Sequence, residues 1–285
     1  MNLSFSWVLL LNIYLLIRLS TSFNLKQSKT RQLIVFLVVT VVFSAFIHVY
    51  YLGILAIMVG SFCLIWGLKE LPNWRLTLSI QAVSLGIVLT AGTVVYGFIR
   101  WIDAYYSFRR TGAGGYNDRE NNLNFDAIYT AYDFNNLPFF AKASLRIPYE
   151  SYSYLGAFAL YSFLIILVLF LVKKGKVERL KRYFLQSKYA WFSLAIIFMG
   201  FMGLTTSLGE YARLFNATVN FDNILNPFYL LSRISERFTH FRCIARFNWI
   251  FFWGINLGIA FLIGQYYRVL KEKDLQKYCL SVRFC

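Results

Sequence analysis

Four arginines in a late polar segment are the residues best suited to bind a phosphate. Arg233 and Arg237 lie four residues apart, and so do Arg242 and Arg246. Residues at this spacing share one face of a helix, so each pair would present two guanidinium groups together. A guanidinium group binds phosphate oxygens through two parallel hydrogen bonds. The pattern predicts a site for a lipid-linked phosphate or pyrophosphate, and the alternative is an anchor for anionic lipid headgroups.

An amphipathic helix is expected to carry these arginines. Asn226 followed by Pro227 is typical of a helix start. After it, apolar residues recur at spacings of three and four: Phe228, Leu231, Ile234, Phe238, Phe241 and Ile244. Such a stripe predicts a helix that lies along the outer membrane face.

Metal or acid–base chemistry has weaker candidates. Asp118 and Glu120 form an acid-x-acid pair, a spacing that can hold a divalent metal beside a sugar phosphate, but it is common in solvated turns, the interpretation we adopt. The only histidines, His48 and His240, are far apart, and no C-x-x-C spacing occurs, so we expect no metal site and no resident cofactor. The absence of P-loop, G-x-S-x-G and H-E-x-x-H spacings argues against an ATPase, a hydrolase triad and a zinc protease.

The composition indicates the environment in which these residues work. Of 285 residues, 58% are hydrophobic, 20% aromatic and 15% charged. A soluble domain has about 25% charged residues, so this chain is predicted to be an integral membrane protein. Its net charge of +16 lies in short basic clusters between apolar runs. That distribution indicates a membrane and its lipids as partners and argues against nucleic acid.

Apolar runs and loop charges together predict seven membrane spans. The run Leu33–Leu68 has 36 residues without a formal charge, too many for one span, and we divide it near His48, Tyr50 and Tyr51. The other expected spans are Leu3–Ile17, Leu76–Ile99, Tyr152–Val172, Tyr189–Leu208 and Asn248–Gly264. We therefore expect an all-α, polytopic transmembrane helix bundle, a single domain over residues 1–285.

The positive-inside rule then orients the bundle. With seven crossings, one side receives segments with net charges of +4, +1, +6 and +3: residues 18–31, 69–75, 173–188 and 265–285. The opposite side receives two larger loops with net charges of 0 and +2: residues 99–150 and 209–247. The N-terminus is thus predicted outside and the C-terminus in the cytoplasm.

Several short motifs resemble one family of membrane enzymes. They are Glu150-Ser-Tyr-Ser-Tyr-Leu-Gly156, Ser207-Leu208-Gly209, Asn226-Pro-Phe-Tyr-Leu-Leu, Phe241-Arg-Cys-Ile-Ala-Arg-Phe247 and Ile47-His48-Val49-Tyr50-Tyr51. Taken together, these motifs resemble the C-terminal half of bacterial GT-C-type, YfhO-like membrane glycosyltransferases, over about residues 40–265. Val49 stands where such proteins have proline.

The resemblance implies transfer of a sugar from a polyprenyl-phosphate donor to a glycan or lipid acceptor, at the outer face of the bacterial cytoplasmic membrane. It marks Glu150, Arg242 and Arg246 as site neighbours, with His48 at the span junction. The family's catalytic acid has no matching position here, so the catalytic residue is unassigned. We therefore expect a fragment, a split subunit with a partner half, or a degenerate relative.

Other functions fit parts of the same pattern. A non-enzymatic membrane scaffold or flippase-like partner in polysaccharide assembly would use the outer arginines without chemistry. A polysaccharide polymerase or ligase also has long outer loops with arginines, but its helix count is usually larger. A small-molecule transporter is disfavoured, because the spans contain almost no charge and no inverted repeat is evident.

Overall fold

The computed structural model describes residues 6–105, 122–129, 155–172, 190–209, 211–214, 217–220, 224–234, 244–261, 263–264 and 267. Helices dominate this part of the chain. They are α1 (Ser6–Thr21), α2 (Ser28–Ile47), α3 (Tyr50–Lys69), α4 (Trp74–Ile102), α5 (Asp126–Tyr129), α6 (Gly156–Val172), α7 (Ala190–Leu208), α8 (Pro227–Ser232) and α9 (Ile244–Phe261), and α9 begins with a 3-10 turn over Ile244–Phe247.

Length and hydropathy place most of these helices in a membrane. Among the described residues, α2, α3, α4, α9 and the part of α7 from Trp191 are long and apolar enough to cross a bilayer, whereas α1 and α6 are apolar but shorter. In hydrocarbon a helix satisfies its own backbone hydrogen bonds, which is why runs rich in Val and Ile are helical here. The helices agree with the prediction of a multi-pass membrane protein.

The long apolar run divides where the sequence predicted. α2 ends at Ile47, and His48 has extended backbone angles (φ −158°, ψ 124°) before α3 begins at Tyr50. The His48 N–H donates to the Ser44 carbonyl at 3.1 Å, which closes the last turn of α2. A connection this short makes α2 and α3 neighbours that pack against each other.

Helix α3 is the centre of the bundle. Of the most apolar 18-residue stretch of each helix, 67% is buried inside the protein in α3, against 28% in α2 and 22% in α4. It packs against α1, α2, α4 and α7, and Ile54, Met58 and Phe62 on it are fully buried. Since lipid tails are as apolar as these side chains, close packing and shape hold the helices together in a membrane.

Two polar contacts fix how the first four helices are rotated against each other. The Thr40 hydroxyl on α2 donates to Asn12 Oδ1 on α1 at 3.0 Å. The Gln81 Nε2 on α4 donates to the Cys63 carbonyl on α3 at 2.9 Å. An unpaired amide in hydrocarbon is costly, so each contact favours one rotational setting of its helix pair.

Glycines bring α7 and α9 into close contact. A Cβ added at Gly203 would lie 2.8 Å from the Phe247 carbonyl oxygen. A Cβ added at Gly254 would lie 3.2 Å from the Ile196 carbonyl oxygen and 3.4 Å from the Gly200 Cα. Small residues at such a seam let two backbones approach each other, as is common in membrane helix pairs.

Helix α1 extends past the C-terminal end of the predicted span. The span was expected to end at Ile17, but the helix continues to Thr21. Arg18 is exposed, so its long side chain can carry the charge away from the helix while the backbone remains helical. The hydroxyls of Ser20, Thr21 and Ser22 donate to the Ile17 and Arg18 carbonyls and complete the end of the helix.

A small β-hairpin accompanies the helices of this predominantly α-helical fold. Strands β1 (Tyr211–Leu214) and β2 (Ala217–Asn220) pair antiparallel, with Tyr211 opposite Asn220 and Leu214 opposite Ala217. The hairpin lies in the segment 209–247, which the sequence predicted as a loop. Strands of four residues are too short to give a clear alternating pattern, so the sequence did not reveal them.

Candidate functional site

The break between α2 and α3 meets the start of α9. Arg246 lies in the 3-10 turn that opens α9, and its Nη1 is 3.0 Å from the Nε2 of His48. The two residues are 198 positions apart in the chain. The fold therefore joins two residues that the sequence analysis proposed for different reasons.

The guanidinium of Arg246 also lies over the ring of Tyr50. The Cζ of Arg246 lies 5.0 Å from the centre of the Tyr50 ring, a distance typical of a cation–π contact. The rings of His48 and Tyr50 are themselves 5.0 Å apart. Next to them, the rings of Tyr51 and Trp249 are 5.9 Å apart. Arg246 is thus held among aromatic rings at one end of the helix bundle.

Both ring nitrogens of His48 face hydrogen-bond donors. The Arg246 guanidinium faces Nε2, and the Tyr50 backbone N–H faces Nδ1 at 3.3 Å. A neutral imidazole accepts at one nitrogen and donates at the other, and an imidazolium donates at both. His48 can therefore accept a hydrogen bond from only one of these two groups. The other ring nitrogen, if it carries a proton, faces a second donor.

Buried packing beneath Arg246 sets its position. The rings of Phe228 and Phe247 are 5.0 Å apart, and a Cβ added at Gly53 on α3 would lie 3.0 Å from the Cζ of each. Asn226 caps α8 by accepting from the Phe228 N–H at 3.0 Å, as the Asn-Pro pattern predicted, and its Nδ2 donates to the Thr206 carbonyl at 3.4 Å. α3, α7, α8 and α9 therefore meet here, and we call residues 48–50, 206–209, 226–228 and 244–249 the histidine end.

Gly209 completes the histidine end at the close of α7. Its φ of +61° is a left-handed conformation that favours glycine. A Cβ there would also lie 2.6 Å from the Asn122 Nδ2 and 2.7 Å from the Ile244 Cδ1. Both the backbone conformation and the space thus require glycine in the motif Ser207-Leu208-Gly209.

The sequence analysis missed a set of buried amides next to this end. Asn122, Asn124, Asn226 and Asn248 are all nearly or fully buried. Within the described residues, the amide oxygen and nitrogen of both Asn122 and Asn248 have no hydrogen-bond partner. An asparagine at the border of an apolar span, as at Asn248, was the available signal, because buried polar groups are costly in a membrane.

The prediction of a long amphipathic helix after Asn226 is wrong for the residues that the structure describes there. α8 ends at Ser232, and residues 233–234 form a turn. The Ser232 hydroxyl donates to the Tyr229 carbonyl at 2.8 Å, and the Ile234 N–H donates to the Leu231 carbonyl at 3.0 Å in the turn that follows the helix. Phe228 is buried in the protein rather than lying along a membrane face.

Arg233 lies apart from the His48–Arg246 contact. It follows the last residue of α8, its side chain is exposed, and its guanidinium contacts the Tyr229 hydroxyl and lies 4.9 Å from the centre of that ring. The expected partner Arg237 lies outside the described residues, and so do Arg242, Glu150, Asp118 and Glu120. The part of the chain that the structure describes contains no group of three or more His, Cys, Asp or Glu side chains that could hold a metal.

Comparison with known proteins identifies a family without an assigned activity. The family model described as DUF6311, a domain of unknown function, matches residues 1–280. Searches of curated proteins and of solved structures gave no match.

Proposed function

The chain belongs to the DUF6311 family, and from the geometry of its histidine end we propose that it binds the phosphate of a polyprenyl-linked sugar. The proposal places seven spans in the bacterial cytoplasmic membrane, with the histidine end at the outer face. Loop charges support this orientation, because the segments with the larger net positive charge then face the cytoplasm.

The contact between Arg246 and His48 carries the proposal. In the tautomer that accepts the Tyr50 N–H at Nδ1, His48 presents an Nε2–H toward the guanidinium of Arg246. A phosphate oxygen beside this contact could accept from the guanidinium and from the Nε2–H at the same time.

The rings around Arg246 fit a lipid-linked anion. Tyr50 lies against the guanidinium, and beside it the buried Tyr51 packs against Trp249. Tyrosine and tryptophan are typical of the membrane interface, where one side of a ligand is polar and the other is apolar. A phosphate on a polyprenyl chain has this division.

Sugar transfer is the second part of the proposal, and it rests on the family resemblance. The described residues supply binding chemistry, and the enzymatic step would require an acid from another part of the chain or from a partner half. Glu150 is the residue that the resemblance places near the site. The alternative is a non-enzymatic scaffold or flippase-like partner that binds the same lipid.

Substitution of Arg246 by lysine tests the phosphate site. Lysine keeps the charge but lacks the planar fork, so Arg246→Lys should weaken binding of a short-chain polyprenyl phosphate to the purified protein by at least about tenfold. His48→Phe, which keeps a ring but removes the nitrogens, should also weaken binding. The matched control is Arg75→Lys, since Arg75 also lies beside an aromatic ring, 5.5 Å from Trp74. Unchanged affinity in Arg246→Lys would show that Arg246 is only a headgroup anchor.

A transfer assay separates the two functional alternatives. The purified protein is supplied with a polyprenyl-phosphate sugar and a glycan acceptor, and transfer of the labelled sugar is measured. Transfer that Glu150→Gln abolishes while binding persists would support an enzyme. Binding without transfer would support a scaffold or flippase-like partner, and transfer only after addition of a second chain would support a split enzyme.

A further inference from the structure

A separate pocket lies at the opposite end of α3. It has a volume of about 340 Å³ and is formed by the end of α1, the linker before α2, the end of α3 and the start of α4. Its lining includes Ser20, Thr21, Ser22, Trp66 and Glu70. We call residues 20–27, 66–70 and 76 the glutamate end. The proposed phosphate site does not involve these residues.

Three hydroxyls present hydrogen-bond acceptors to the pocket. Ser20 Oγ donates to the Ile17 carbonyl at 2.8 Å, and Thr21 Oγ1 and Ser22 Oγ each donate to the Arg18 carbonyl at 2.9 Å. Each hydroxyl proton is therefore already used within α1. The oxygen atoms retain their lone pairs, so toward a ligand these side chains act as acceptors.

Glu70 adds a negative charge in an otherwise basic region. Segments 18–31 and 69–75 contain six basic residues and a single acidic residue, which is Glu70. Its Oε1 accepts from Lys69 Nζ at 3.0 Å, and that Nζ lies 4.8 Å from the centre of the Trp191 ring on α7. A carboxylate has about four acceptor sites, so the contact with Lys69 leaves room for another donor.

Two aromatic rings form part of the pocket wall. Trp66 is buried, with 3% of its surface exposed, and Phe23 meets it edge to face at a ring distance of 5.0 Å. Both residues line the pocket. Aromatic rings beside a carboxylate and hydroxyl acceptors are a combination that recognises cations.

We propose that this pocket binds a protonated primary amine, such as the ethanolamine headgroup of a phospholipid. Such an ammonium group has three N–H donors for the carboxylate and the hydroxyl oxygens. Lys26, which adjoins the pocket residue Gln27 in the chain, and Arg18, two residues before Ser20, would supply positive charge for the phosphate of the same headgroup. A soluble amine shares the ammonium chemistry and is the second source to be tested.

Two lipids that differ only at the amine test the proposal. The purified protein is titrated with phosphatidylethanolamine or phosphatidylcholine of identical acyl chains, and bound lipid is counted by native mass spectrometry. Choline has no N–H donors, so the protein should bind the ethanolamine lipid at least about tenfold more tightly, the value of one charge-assisted hydrogen bond. Equal binding of the two lipids would overturn the proposal.

Matched variants assign the preference to the pocket. Glu70→Gln keeps the size of the side chain but removes its charge, and should reduce the preference to less than about twofold. Asp103→Asn removes an acid beyond the end of α4 and should leave the preference unchanged. Thr21→Val keeps the shape of an exposed side chain and should lower the preference several-fold, which provides a second test if Glu70→Gln does not fold. A preference that survives in both pocket variants would contradict the proposal.

Free ethanolamine distinguishes the two sources of the amine. If millimolar ethanolamine fails to displace the lipid, the pocket is selective for the lipid headgroup. If it displaces the lipid from the parent protein and binds Glu70→Gln more weakly, the ligand is a soluble amine. Failure of this site would leave the phosphate site untouched, because the Arg246 variants are measured with a different ligand.

Discussion

The two ends of the helix bundle have opposite chemistry and opposite construction. The histidine end combines Arg246 and His48, which lie 198 residues apart in the chain, with aromatic rings. The glutamate end combines Glu70 with hydroxyls, and all its residues lie between Ser20 and Leu76. The first presents donors that suit an anion, and the second presents acceptors that suit a cation.

The difference lies in which helix contacts create each site. The glutamate end is formed where sequential helices meet, because short connections keep neighbouring helices together. The histidine end needs α9 to pack beside α7 and α3, and the glycine seam at Gly203 and Gly254 permits that contact. The glutamate end should therefore tolerate damage to α9, whereas the histidine end should not.

The largest expected effect is an all-or-none labelling pattern for the two ends. In a background with Cys243, Cys279 and Cys285 replaced by serine, single cysteines are introduced at Ser107, Thr218, Gln27 and Gln186. The first two should react from outside with an impermeant thiol reagent, because they follow helix ends on the proposed outer side. The last two should react only after the membrane is opened. The reverse pattern would invert the proposed orientation and place the arginine site in the cytoplasm.

A smaller but still large effect is expected at the glycine seam. Gly203→Ala places a methyl group 2.8 Å from a backbone carbonyl, and such overpacking costs about 1–3 kcal/mol. The variant should melt at a lower temperature by intrinsic tryptophan fluorescence and should bind polyprenyl phosphate more weakly, with its ethanolamine-lipid preference retained.

A second glycine on α9 gives the matched control for this seam. A Cβ added at Gly258 would have no atoms within 4 Å. Alanine favours the helix over glycine by up to about 1 kcal/mol, so Gly258→Ala should leave the melting temperature unchanged or raise it. If both alanine variants behave alike, the close contact between α7 and α9 does not control the histidine end.

The smallest expected effect is the coupling between the ends. α3 separates them by about 30 Å, since a helix rises about 1.5 Å per residue over its 20 residues. Effects at such a distance usually add. Arg246→Lys should therefore change the lipid preference by less than about twofold, and Glu70→Gln should change phosphate binding equally little. A larger change in either measurement would show that α3 couples the two sites.

Local patterns in the sequence were enough to predict several elements. The division at His48 followed from the length of an uncharged run, because 36 residues are too many for one span. The cap at Asn226 followed from residue chemistry that acts within one helical turn. Glycines in two recognised motifs, Gly156 and Gly209, have positive φ values of 86° and 61°, so their place in the motifs has a backbone reason.

Patterns that depend on later contacts misled the sequence analysis. The apolar stripe after Asn226 predicted a long helix, but the described helix ends at Ser232 and residues 233–234 form a turn. The burial of Asn122 could not be predicted, because burial of a polar residue in a loop depends on which distant segment covers it.

The sequence by itself determined the membrane class, the helical character and the break at His48, because hydropathy and short-range hydrogen bonding act between residues close in the chain. Only the tertiary structure decided that Arg246 meets His48 and Tyr50, and that Glu70 lines the same pocket as Ser20, Thr21 and Ser22. In a membrane every apolar helix face is satisfied by lipid, so hydropathy alone leaves the choice of neighbours open. That choice was made by the shapes of the helix surfaces, at glycines and buried polar contacts whose partners the linear order of residues does not reveal.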